Sequence, residues 1–132
     1  MAGKIRVLFV CVENSCRSQM AEALARLIAS DRIEPYSAGS RPSGKVNETA
    51  IAVMAELGYD LRSHRSKSLE EIPDVAYDWA ITMGCGDACP IVRACQHADW
   101  NIPDPKGQPL EEFRRVRDMI AQRIRELVRS IV

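Results

Sequence analysis

The sequence predicts an α/β fold: one domain over residues 1–132, built on a four-stranded parallel sheet with helices on both faces. Three observations predict it. Short, β-branched apolar runs alternate with segments whose apolar residues recur at helical spacing, the pattern of a parallel sheet joined by right-handed crossovers. The chain has 132 residues, enough for one real core and too few for two. Finally, the chemically suggestive segments each follow a predicted strand, so they share the carboxyl edge of the sheet, where ligands bind in such folds.

Each element carries its own signal. The run Ile5-Arg6-Val7-Leu8-Phe9-Val10 reads as a buried strand. A helix over about residues 18–30 follows, with Met20, Leu24, Leu27 and Ile28 on one face. Residues 33–38 form a short strand and residues 39–44 a glycine-, serine- and proline-rich loop. Asn47 caps a second helix carrying Ile51, Met54 and Leu57, which Gly58 stops. Ser68 and Glu71 fit a capping box that opens a brief helical turn before Pro73. Trp79, Ile81 and Met83 alternate in a third strand over residues 77–83. A cysteine-rich loop over residues 84–95 and a fourth short strand near residues 98–102 come next. The last helix, about residues 109–132, aligns Phe113, Val116, Ile120, Ile124, Leu127 and Ile131 in one stripe.

Composition narrows the function. Lysine plus arginine and aspartate plus glutamate balance at 18 each, so nothing favours nucleic acid or an anionic membrane as a partner. No stretch approaches a transmembrane length, and the amino terminus enters a strand directly. A cytoplasmic protein is expected. In that reducing compartment the five cysteines point to catalysis or metal binding instead of a disulfide framework.

The segment Cys11-Val12-Glu13-Asn14-Ser15-Cys16-Arg17-Ser18 joins the first strand to the first helix. A thiol therefore ends a strand, and the loop after it runs into a helix amino terminus. Unpaired N–H groups and a partial positive charge there bind oxyanions and favour a thiolate at Cys11. Arg17 adds a planar fork that matches two oxygens of a tetrahedral anion. Ser18 is able to donate its hydroxyl to the thiolate. A buried structural thiol is the plain alternative, but the strand before Cys11 and the helix after it favour the nucleophile. The loop lacks glycine, which argues against a nucleotide phosphate loop. A small tetrahedral oxyanion is the expected ligand.

A second cluster follows the third strand. Cys85 and Cys89 lie among Gly84, Gly86 and Pro90, with Cys95 and His97 close behind. Three readings stand: a relay in which Cys85 attacks Cys11 and Cys89 attacks Cys85, a zinc site from Cys85, Cys89, Cys95 and His97, or ordinary loop thiols. Asp104, between Pro103 and Pro105, is the best general acid, because a leaving oxygen needs a nearby proton donor and a shielded carboxyl beside an anion holds its proton. His64 and His97 have no evident partner and read as packed or surface side chains.

Together these motifs resemble the arsenate reductases built on the low-molecular-weight tyrosine phosphatase fold. The resemblance rests on residues 11–22, on Ser37-Ala38-Gly39, on the Cys-Gly-Asp…Cys-Pro segment at residues 85–90, on Asp104-Pro105, and on residues 113–118. It implies that Cys11 attacks arsenate, that Arg17 and the amides of residues 12–18 bind its oxygens, and that Asp104 donates a proton. Cys85 would release arsenite and Cys89 would carry the oxidation to thioredoxin, with no cofactor. Cys16 has no role in that scheme. A related group uses a small thiol such as mycothiol, and phosphate-ester hydrolysis is the other chemistry of the fold. Phosphatases of this type place tyrosines after the Asp-Pro, where this chain has Lys106-Gly107-Gln108. Some relatives also hold a monovalent cation with an Asn, a Glu, a Ser and an Asp. Here Asn14, Glu22 and Ser37 match, and Lys67 stands in the place of the Asp.

Overall fold

The computed structural model describes residues 3–84 and 92–131. Four parallel strands, β1 (Ile5–Cys11), β2 (Ile33–Gly39), β3 (Tyr77–Thr82) and β4 (Ala94–Asp99), form one sheet in the order β2-β1-β3-β4. The apolar run of β1 makes it central: Val7, Leu8, Phe9 and Val10 are fully buried, as a strand covered on both faces requires. Its register sets Val10 beside Thr82 and Cys11 beside Gly39, so the strand that ends in Cys11 is flanked on both sides at the carboxyl edge.

Helical segments cover both faces, unequally. Helices α1 (Arg17–Ala29), α2 (Glu48–Ala55) and α3 (Leu110–Ser130) share one core with Val7 and Phe9. The stripe of α3 is buried as its spacing predicts, with Phe113, Val116, Ile120 and Ile124 all inside. Each such side chain contributes about 1.5–3 kcal/mol on burial. On the other face, Leu8, Val10, Ala38 and Tyr77 meet Leu69 and Ile72. Leu69 lies in a single 3-10 turn, Leu69–Glu71, and the expected capping box is present there, with Ser68 N–H donating to Glu71 at 2.7 Å.

Most elements end within a residue or two of the sequence expectation, and three boundaries are informative. Helix α2 ends at Ala55, and Leu57 lies beyond it, exposed. Asn47 does cap that helix, accepting from the N–H groups of Thr49 and Ala50. Helix α1 starts at Arg17, one residue early. The fourth strand is Ala94–Asp99 and not residues 98–102. Its Cys95, Gln96 and His97 are exposed at a sheet edge, so no apolar alternation marks it. Trp100 and Ile102, which fall within the expected span, are buried just past its end. Among the described residues no helix is long and apolar enough to cross a membrane.

Candidate active site

The loop between β1 and α1 is shaped from outside. The carbonyl of Cys11 accepts from Ser40 N–H, Val12 from Arg41, Glu13 from Ser43 and Ser15 from Asn47. Ser66 hydroxyl also donates to the Glu13 carbonyl at 2.8 Å, and Gln19 Nε2 donates to the Asn14 carbonyl at 3.1 Å. A planar trans peptide points its N–H away from its carbonyl. With these carbonyls turned outward, the amides of residues 12–16 turn inward, and Asn14 N–H is seen 3.2 Å from Cys11 Sγ. Gly39 makes the fit possible: a Cβ there would lie 2.5 Å from the Val12 carbonyl oxygen and 2.9 Å from Asn14 N.

Asn14 organises the sulfur. Its φ of 51° is a left-handed conformation that asparagine tolerates. Lys67 N–H can only donate, so the amide oxygen Oδ1 faces it at 2.9 Å, and Nδ2 donates to Ser18 Oγ at 2.8 Å. Ser18 Oγ in turn lies 2.8 Å from Cys11 Sγ, where its hydroxyl donates whenever the sulfur is a thiolate. The Asn14 N–H, the Ser18 hydroxyl and the amino end of α1 therefore converge on one sulfur. Gln19, fully buried, props Asn14 from behind and holds His64 through Oε1 at 2.9 Å. Nothing in the sequence assigned Gln19 this role, since it is one of several polar residues, with Arg17, Ser18 and Glu22, that α1 buries.

Arg17 is also fixed in advance. Its Nη1 donates to the carbonyls of Met83 at 2.5 Å and Ile102 at 2.9 Å, which aims the rest of the fork at the loop. Its Nη2 is 3.8 Å from Asp104 Oδ2. These groups line a cavity of about 250 Å³ together with Val12, Glu13, Ser15, Cys16 and Lys106. Asp104 is thus brought to the site, but its side chain is 51% exposed, so the protein alone does not give the carboxyl the shielding that the sequence suggested. Its Oδ1 is oriented by Lys106 N–H at 3.1 Å. Burial pushes the Cys16 thiol up to about 11, so it stays protonated beside its neighbour. Glu13 contributes backbone to the loop, and its carboxylate accepts from Lys106 Nζ at 2.7 Å.

The remaining expectations fall differently. His64 is packed, with Nε2 2.5 Å from the Tyr59 hydroxyl, and burial lowers its pKa from the usual histidine range. His97 lies exposed on β4 with Nε2 2.6 Å from the Val92 carbonyl. Lys67 reaches the polar cluster behind the loop: Nζ is 3.3 Å from Ser37 Oγ and 3.7 Å from Glu22 Oε1. An ammonium already faces those oxygens, so they do not fit a separate monovalent cation. Cys85 and Cys89 lie outside the described residues. Cys95 is exposed, and among the described residues no three metal-ligating side chains cluster.

A thiol, a ring of inward amides and a guanidinium at a helix amino terminus define a class: α/β proteins shaped to bind a tetrahedral oxyanion against a cysteine. The chain belongs to the low molecular weight phosphotyrosine protein phosphatase family, whose model matches residues 6–132. It is 40% identical to a glutaredoxin arsenate reductase of Synechocystis, over 96% of this chain and 98% of that one. A solved arsenate reductase in the phosphate binding state superposes with a TM-score of 0.87 at 40% identity, covering 97% and 99% of the two chains. A thioredoxin-dependent arsenate reductase of Corynebacterium glutamicum gives 0.79 at 36% identity, covering 98% of this chain and 63% of that one.

Proposed function

We propose that this protein is an arsenate reductase, with Cys11 as nucleophile. One observation carries the reading: a chain 40% identical to an arsenate reductase over nearly its whole length keeps a thiol, inward amides and Arg17 around a cavity of about 250 Å³. The Cys11 thiolate displaces an oxygen of arsenate in line, forming a sulfur–arsenic bond. Asp104 gives the departing oxygen its proton, so that it leaves as water. Arg17 and the loop amides hold the other oxygens, and their preorganised charge lowers the barrier.

Reduction needs a second thiol. A thiolate attacks Cys11 sulfur, a disulfide forms, and the electron pair of the broken sulfur–arsenic bond stays on arsenic, which departs as arsenite. Cys85 is the proposed attacker and Cys89 its resolving partner. A thioredoxin or a glutaredoxin then returns two electrons to the disulfide, and the names of the relatives support both. A cytoplasmic setting, where such reductants operate, belongs to the same proposal.

The test is arsenate-dependent turnover with thioredoxin, glutaredoxin or a small thiol supplied separately, with arsenite quantified. Sustained arsenite formation with a protein reductant, and a Cys89→Ser variant that stalls as a Cys11–Cys85 disulfide, are expected. Full activity of Cys85→Ser and Cys89→Ser with a small thiol alone would replace the relay by direct thiol transfer. Hydrolysis of phosphate esters with no arsenite would overturn the reductase reading.

A further inference from the structure

We propose that the Glu13–Lys106 ion pair is a strap across the mouth of the oxyanion cavity that selects inorganic oxyanions over aryl esters. The inference rests on the reading that Cys11 and Asp104 act on a bound oxyanion. Lys106 Nζ lies 2.7 Å from Glu13 Oε1 and 3.0 Å from Oε2, joining the anion loop to a segment 93 residues away. Both residues line the same cavity as Cys11 and Asp104. Lys106 is also the residue whose N–H orients Asp104, at 3.1 Å, so the two functions share one turn.

Geometry gives the pair its consequence. An in-line displacement puts the leaving group opposite Cys11, on the side of the acid that protonates it. A departing water needs no more room than the cavity offers. An aryl group on that oxygen projects past Asp104 into the space that Glu13 and Lys106 span, where it meets two charges and, among the described residues lining the cavity, no aromatic side chain. Lys106-Gly107-Gln108 supplies no ring to stack on. The side chains are 39% and 55% exposed, so the strap opens readily and acts as a bias on entry. An exposed pair of this kind supports a selectivity of about three- to fivefold.

The test reads binding at Cys11 without requiring reduction. Protection of Cys11 from iodoacetamide is titrated with inorganic phosphate and, separately, with phenylphosphonate, a dianion of the same charge carrying a ring. Wild type is compared with Glu13→Gln, Lys106→Met and the charge-reversed double variant Glu13→Lys/Lys106→Glu. Removing Glu13 strengthens binding of both anions and removing Lys106 weakens both, because the charges act in opposite senses. The ratio of the two affinities is what reports the strap. Both single variants should shift that ratio toward phenylphosphonate by about three- to fivefold, and the reversed pair should restore it. An unchanged ratio in the singles, or a reversed pair that behaves like them, overturns the proposal. Phosphate protection in wild type without arsenite formation in turnover would sink the reductase reading and leave the strap standing. A wild type that neither anion protects would remove the bound-oxyanion premise, and the strap with it.

Discussion

Ser18 Oγ lies 2.8 Å from Cys11 Sγ and accepts from Asn14 Nδ2, also at 2.8 Å. When Cys11 is a thiolate the sulfur can only accept, and the Ser18 hydroxyl is then its donor. Hydrogen bonds to a charged group contribute about 1.5–3 kcal/mol, so Ser18→Ala should slow Cys11 alkylation near neutral pH by about tenfold or more. The rate with iodoacetamide checks it. An unchanged rate would mean that the hydroxyl does not hold the thiolate.

Asp104→Asn should leave phosphate protection of Cys11 within a few-fold of wild type while slowing arsenate turnover by roughly 10²–10⁴, the range of a positioned acid or base. Its open position, oriented by Lys106 N–H and facing Arg17 at 3.8 Å, suits a proton donor that is not part of the core. Equal losses of binding and rate would make it a structural residue of the loop.

Lys67 gives a third prediction. Its ammonium faces Ser37 Oγ and the Arg65 carbonyl at 3.3 Å each, and Glu22 Oε1 at 3.7 Å. Activity and melting temperature in potassium and in a bulky organic cation, at equal ionic strength, should coincide. Lys67→Asp should acquire potassium dependence. Marked potassium activation of the wild type would contradict the assignment.

These examples show what the sequence made legible. The apolar run of β1 and the stripe of α3 followed from periodicity, because both elements bury a regular set of side chains. Cys11, Arg17 and Ser18 stood out because eight residues carry a thiol, a guanidinium and a hydroxyl between a strand and a helix. Strand β4 was expected but placed too late, near residues 98–102 instead of Ala94–Asp99, since an exposed edge strand with Gln96 and His97 has no apolar alternation. The outer brace of the loop was not legible: besides Gln19, the donors to its carbonyls come from residues 40, 41, 43, 47 and 66, a set that only the fold assembles. The Glu13–Lys106 pair is equally nonlocal.

The pH dependence of stability offers a fourth prediction. Arg114 and Arg117 bond the Glu56 carboxylate, at 2.7 Å and 2.8 Å, and tie α3 to the end of α2. They lower its pKa from 4.5 to about 2, Arg114 first. A carboxyl depressed in the folded state contributes stability above its unfolded pKa and loses it as pH falls toward the folded value. Glu56→Gln should therefore melt lower than wild type above pH 4.5, with the gap closing between 4.5 and about 2. A gap that persists unchanged at the acid end would show that charge is not its source.

The central claim is that Cys11 carries arsenate through to arsenite. The direct measurement is a single turnover: fully reduced protein mixed with one equivalent of arsenate, with no external reductant, followed by arsenite quantification and mass mapping of the disulfides. The account predicts close to one arsenite per chain and a new disulfide within the protein, both abolished in Cys11→Ser, because a serine hydroxyl is a far weaker nucleophile at neutral pH. Arsenite formed at a comparable yield by Cys11→Ser, or no arsenite from the reduced wild type, would contradict it.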